Sequence, residues 1–229
     1  MFNFINNAFS KFIASTTKAV GKIKQFGSNV GKHVINASKF LTPQAESNAN
    51  LSGLSATLAK ISNSAYQSNR PTTIDNYNLD KELSDPETAI YYNQSNVIIG
   101  FRGTANVKDL ITDIDIVKGT TNDPRYREAV DIYNKVKSKY PNLNIIATGH
   151  SLGGNLALYL NSLYGIQSES FNAGLGLGFI KSNPNRDKAI LHIIKGDPIS
   201  SLGALSNLGR SRVYNAITEN PHSMQNYIT

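Results

Sequence analysis

The chain has 229 residues, 40% of them hydrophobic, no cysteine and a formal net charge of +7. That length suits one α/β domain plus an appendage, and the missing cysteines exclude a disulfide scaffold, a thiol nucleophile and a cysteine-ligated zinc. No run reaches the roughly 18 consecutive apolar residues of a membrane span.

The charge is concentrated at the start. Residues 1–41 carry six lysines and no acidic side chain, leaving 17 of the 23 basic and all 16 acidic residues to the other 188 positions. Phe2, Ile5, Phe9, Phe12, Val20, Ile23, Phe26, Val30 and Val34 recur at three- and four-residue steps. This spacing predicts an amphipathic helical arm with lysine, serine and asparagine between its apolar positions. Gly21, Gly27 and Gly31 each cost a helix about 1 kcal/mol relative to alanine, so the arm is expected to fold on contact with a surface. It has no uninterrupted apolar core or small-residue cleavage site of a secretory signal, and peripheral membrane association is expected, with a signal-less export route compatible. Residues 42–50 are polar and proline-marked and form the expected linker; residues 51–229 form the expected catalytic domain.

Leu54, Leu58, Ile61 and Ala65 predict a helix from Leu51 to Tyr66. Ala89–Tyr92 and Val97–Phe101 are predicted strands joined as a hairpin through Asn93–Asn96. Val107, Leu110, Ile111 and Ile114 predict a short amphipathic helix. Asp123 caps a helix that starts at Pro124 and stops before Pro141. An apolar strand over 143–148, a helix to about Leu163, and short strands at 169–172 and 189–195 complete the pattern. Alternating strands and helices imply a mostly parallel central sheet flanked by helices.

The strand at 143–148 runs into Gly149-His150-Ser151-Leu152-Gly153-Gly154 and then into a helix. A serine between two glycines at a strand-to-helix turn is a nucleophile elbow. The turn lifts the hydroxyl clear of the sheet, and positions two before and two after the serine tolerate almost no side chain. A serine hydroxyl needs a base and a carboxylate to orient that base. Of the four histidines, His33 lies on the arm, His150 is inside the elbow and turned away, and His192 is within an apolar strand. His222, on a polar loop, remains as the base. The carboxylates between Ser151 and His222 are Glu169, Asp187, Asp197 and Glu219. Asp197 follows a strand and so falls at the C-terminal sheet edge with the elbow, whereas Asp187 precedes that strand and Glu169 opens its own. For the oxyanion, the Leu152 N–H supplies one donor, and Thr104, after the strand ending at Phe101, is placed to supply the second.

Phe101-Arg102-Gly103-Thr104, the elbow, Gly196-Asp197-Pro198 and Pro221-His222-Ser223-Met224 occur in an order and spacing that resembles the class 3, fungal-lipase-like family of α/β-hydrolases over about residues 50–229. The resemblance implies an α/β-hydrolase fold, a triad of Ser151, Asp197 and His222, an oxyanion hole at Thr104 and Leu152, and Asp113 as orienter of the Thr104 hydroxyl. No cofactor or metal is implied. The family's lid helix would fall at Asn106–Ile114, which lacks tryptophan and carries Lys108 and Asp109. Gly174–Gly178 would line the acyl site. The expected function is hydrolysis of carboxylic esters of lipids, phospholipid or acylglycerol, with residues 1–41 contacting a membrane surface. The competing expectation is an inactive hydrolase-fold binding protein whose arm holds membrane or nucleic acid; the apolar stripe and absent arginine in the arm speak against nucleic acid.

Overall fold

The computed structural model describes residues 48–104, 124–173, 183–197, 200 and 208–228. The arm, the expected lid helix, Asp113 and the Gly174–Gly178 stretch lie outside the described residues. Gln44–Thr229 forms one compact unit. Ala49, in the expected linker, already packs into its core.

Helix α1 (Gly53–Ser64) is followed by β1 (Thr73–Ile74), β2 (Tyr77–Leu79), β3 (Thr88–Tyr92) and β4 (Asn96–Phe101). Then come α2 (Pro124–Lys139), β5 (Asn144–His150), α3 (Leu152–Tyr164), β6 (Gln167–Phe171), β7 (Ala189–Ile194) and β8 (Arg210–Tyr214). The strands form one eight-stranded sheet in sequential order. β1 to β4 pair antiparallel, as the hairpin at 93–96 requires, and β4 to β8 pair parallel.

Period-two alternation divides the core between the two faces. Ile98 and Ile146 face α1, where Leu58, Ile61, Phe171 and Tyr214 complete one cluster. Val97, Ile99, Ile145 and Ala147 face the other way and pack with Ile132 and Val136 of α2 and with Leu156 and Leu160 of α3. Right-handed crossovers between neighbouring parallel strands put α2 and α3 on one face, which leaves the other to α1. This is the α/β-hydrolase arrangement, and it brings the C-terminal ends of β4, β5, β6 and β7 to a common edge.

The sequence pattern did not announce β1, β2 or β8. The first two are too short to show a period, and β8, Arg-Ser-Arg-Val-Tyr, has polar residues at three of its five positions. Glu169 does not open β6 but sits at its centre, fully buried and 2.8 Å from His192 Nε2. His192 Nδ1 in turn meets the Tyr214 hydroxyl at 2.8 Å. Its ring stacks on Phe171 at 4.8 Å. His192 is thus a satisfied core residue, as its apolar strand suggested, and Glu169 is its partner.

Candidate active site

Ser151 stands between the last residue of β5 and the first of α3, with φ 56° and ψ −125°. A non-glycine residue there is strained by about 1–3 kcal/mol and persists only where its surroundings fix it. They do so here. Ser151 N–H donates to the Phe171 carbonyl at 3.0 Å, and its own carbonyl accepts from Gly154 N–H at 3.0 Å and Asn155 N–H at 3.3 Å.

The two elbow glycines allow backbone to touch backbone. A Cβ on Gly149 would overlap the Gly153 main chain, and one on Gly153 would overlap the Phe101 carbonyl. The end of β4 is therefore pressed against the first turn of α3. We expect Gly153→Ala to destabilise the fold by about 3 kcal/mol or more, because the clash is with rigid backbone. Urea denaturation measures it, and a loss below 1 kcal/mol would show that the contact is soft.

His222 and Asp197 meet at this edge. His222 Nδ1 lies 3.0 Å from Asp197 Oδ2, and both side chains are buried. Asp197 follows Gly196, whose φ of 89° turns the chain back after β7. Its Oδ2 also accepts from the Ser200 hydroxyl at 2.6 Å and the Ser200 N–H at 3.3 Å. With Nδ1–H donating to the carboxylate, neutral His222 keeps a bare Nε2. That Nε2 and the Ser151 Oγ are both buried, and neither makes a hydrogen bond among the described residues. The His222 ring lies 4.6 Å from that of His150, the neighbour of Ser151.

Two asparagines hold the His222 loop. Asn172, at the end of β6 with φ 45°, donates to the Pro221 carbonyl at 2.8 Å. Its Oδ1 accepts from Ile194 N–H at 2.9 Å and the Tyr227 hydroxyl at 2.7 Å. Asn226 accepts from the N–H groups of Ile217 and Thr218 and donates to the carbonyls of Asn220, Pro221 and Ser223. Sequence reasoning missed Ser200, Asn172 and Asn226, since a short polar residue on a loop carries no pattern.

The expected oxyanion donors sit on two elements. Leu152 is the first residue of α3, so its N–H has no intrahelical acceptor. Thr104, half-buried, follows the β4 end that the Gly153 contact presses against α3. Asp187 lies in the short 3₁₀ turn Arg186–Lys188 ahead of β7, at the opposite sheet edge from Asp197. Among the described residues no group of three or more His, Cys, Asp or Glu could hold a metal ion.

His150 is locked in place. Its Nδ1 meets the Tyr66 hydroxyl at 2.8 Å and its Nε2 the His222 carbonyl at 2.7 Å. Burial, and second the nearby His222 charge, lower its pKa from 6.5 to about 3. The unfolded chain therefore binds one more proton than the folded chain between those values, and the contribution present above pH 6.5 is lost as pH falls toward 3. The expected slope from this group is about 1.4 kcal/mol per pH unit within that window. Urea titrations of wild type and His150→Gln from pH 7 to 4 check it, and equal slopes would refute it.

The family model described as "Phospholipase-like: Tle-like phospholipase domain" matches residues 47–194. "Putative lipase ATG15" of Vanderwaltozyma polyspora is 37% identical over 86 residues, covering 34% of this chain and 15% of that protein. The protein of the same name from Yarrowia lipolytica is 45% identical over 51 residues, covering 22% and 9%. The chain thus spans less than a sixth of the length of these relatives. Among solved structures, Lip2 lipase from Yarrowia lipolytica aligns with a TM-score of 0.46 at 18% identity, over 68% of this chain and 77% of that one. A triacylglycerol lipase from Penicillium expansum aligns with a TM-score of 0.48 at 18% identity, over 78% and 84%. The family model spans well over half of the sequence and includes the elbow, and the chain belongs to the Tle-like phospholipase family.

Proposed function

We propose that this protein is a serine hydrolase that cleaves carboxylic esters of lipids, phospholipid foremost. The observation that carries the reading is the pair of buried atoms Ser151 Oγ and His222 Nε2, neither of which has a hydrogen-bond partner among the described residues, with His222 fixed by Asp197 behind it. A buried polar atom left unpaired costs about 1–3 kcal/mol, and a reaction that uses both atoms gives a reason for that cost.

Ser151 Oγ attacks the ester carbonyl while His222 Nε2 takes its proton. Asp197 holds the tautomer and stabilises the imidazolium. The carbonyl oxygen becomes an oxyanion that accepts from Leu152 and Thr104, donors typically worth about 3–4 kcal/mol each in the transition state. The imidazolium returns its proton to the leaving alcohol, giving an acyl-Ser151. Water then attacks through the same base, releasing the acid and restoring the serine. Asp113 would orient the Thr104 hydroxyl.

The family's phospholipase description and the lysines of residues 1–41 favour a phospholipid substrate. The arm would lie in the interface with lysines on anionic headgroups and phenylalanines at the acyl boundary, making 1–41 an addressing segment and 51–229 the catalytic domain. The test is a lipid panel of phospholipid, triglyceride and monoglyceride, run on wild type and Ser151→Ala. Fatty acid release that is greatest on phospholipid and absent from Ser151→Ala is expected; equal release by both proteins refutes the reading. Liposome flotation with and without residues 1–41 tests the arm, and equal binding refutes its role.

A further inference from the structure

Tyr66 lies just beyond the C-terminal end of α1 and belongs to none of the sequence motifs of the proposed machinery. Its hydroxyl nevertheless joins two of the segments that acyl transfer must keep in register. Gly103 N–H donates to the Tyr66 oxygen at 3.0 Å, and the Tyr66 hydroxyl lies 2.8 Å from His150 Nδ1. On the far side of the imidazole, Nε2 lies 2.7 Å from the His222 carbonyl.

The directions in this chain follow from the chemistry of its ends. A carbonyl can only accept, so His150 Nε2 carries the hydrogen toward His222. A neutral imidazole then leaves Nδ1 bare, which makes Tyr66 O–H the donor to it. The Tyr66 oxygen keeps its lone pairs for the Gly103 N–H. The hydroxyl also has the His150 carbonyl within 3.5 Å, the longer of its two contacts, so its main direction is toward the ring. Both side chains stay uncharged at working pH, since burial holds His150 near 3 and raises Tyr66 to about 12.

The packing around Gly103 is equally tight. A Cβ there would overlap the Tyr66 hydroxyl and the His150 carbonyl and would lie 3.0 Å from the Ser151 Cβ. The loop that carries Thr104 therefore rests directly on Tyr66 and the elbow.

We propose that Tyr66 is a positioning residue for acyl transfer, setting through His150 the spacing between the Gly103–Thr104 loop and the loop that carries His222. The proposal rests on the roles given above to Ser151, His222 and Thr104. Tyr66 touches no reacting atom. It acts as a neutral strut. Without its hydroxyl, His150 Nδ1 and Gly103 N–H both lose their partner, and the imidazole, still held at Nε2 by the His222 carbonyl, is free to tilt about that single bond. The oxyanion donor and the base would move independently, and geometric errors of this kind cost turnover more than substrate affinity.

The test compares wild type, Tyr66→Phe, His150→Gln, the double variant and Ser151→Ala on a short-chain nitrophenyl ester. The glutamine amide can still donate to the His222 carbonyl but offers Tyr66 no ring nitrogen. Tyr66→Phe is expected to lower kcat ten- to a hundredfold with KM within twofold. His150→Gln should lower kcat by a similar factor, and the double variant should be no slower than the slower single one. Histidine-selective ¹⁵N spectra should show His150 as the Nε2–H tautomer in both proteins, with its Nδ1 resonance moved downfield in Tyr66→Phe by loss of the hydrogen bond from the hydroxyl. A Tyr66→Phe kcat within twofold of wild type, or losses that multiply in the double variant, would overturn the proposal. Should wild type and Ser151→Ala hydrolyse the ester alike, the catalytic assignment fails instead. The spectra then judge the strut alone, and an unchanged His150 in Tyr66→Phe overturns it.

Discussion

Ser151→Gly is expected to abolish ester hydrolysis and to make the protein more stable. The two effects have one origin. The serine occupies a backbone conformation, φ 56° and ψ −125°, that a residue with a Cβ avoids, and glycine enters such conformations with little strain. Relief of that strain, about 1–3 kcal/mol, exceeds the roughly 1 kcal/mol that glycine's greater unfolded-state freedom takes away. The buried hydroxyl, which finds no partner among the described residues, also disappears. Removal of the nucleophile lowers kcat by about 10⁶ where the groups around it act as a unit. Urea denaturation and the nitrophenyl ester assay check both halves. A variant less stable than wild type would mean that the elbow stores no strain, and retained turnover would mean that Ser151 is not the nucleophile.

Asp197→Asn carries the second largest expected effect, a fall in kcat of about 10³–10⁴. His222 Nδ1 depends on Asp197 Oδ2 for its tautomer. The Ser200 N–H and hydroxyl, at 3.3 and 2.6 Å, both donate to the same oxygen, so an asparagine can keep its carbonyl there and preserve the geometry. What it cannot preserve is the negative charge that offsets the imidazolium during proton transfer. The loss should therefore fall on kcat with KM within a few-fold. Steady-state kinetics of Asp197→Asn beside Glu169→Gln separates the two buried carboxylates, because Glu169 serves His192 within the core. Equal losses in both variants would remove the distinction between an orienting acid and a structural one.

Much of the fold was legible because its signals are local. The α1 stripe at Leu54, Leu58 and Ile61, the β3–β4 hairpin, Pro124 at the start of α2 and the elbow each lie within a dozen residues. Helix α3 and strands β5 and β7 could be placed to within about two residues for the same reason. The candidate site was legible to the extent that chemistry narrows choices: four histidines and a sheet edge suffice to pair His222 with Asp197 before any distance is known. The supporting residues were not. Tyr66 and His150 are 84 positions apart, and Asn172 reaches Pro221 across 49. Such links arise only when the sheet brings distant loops to one edge, and a tyrosine at the end of an amphipathic helix looks like any other helix end. β8 was hidden for a different reason, since its polar residues suppress the apolar signal that marks β5 and β7.

The same polar residues in β8 bear on how the molecule behaves in a crowd. An open sheet ends in two rows of backbone groups able to recruit a further strand. At one end β1 is two residues long and offers almost no template. At the other, β8 exposes Arg210 and Arg212 at alternate positions, so two copies meeting edge to edge would set like charges side by side. A chain built around consecutive apolar parallel strands can thus remain dispersed at high local concentration.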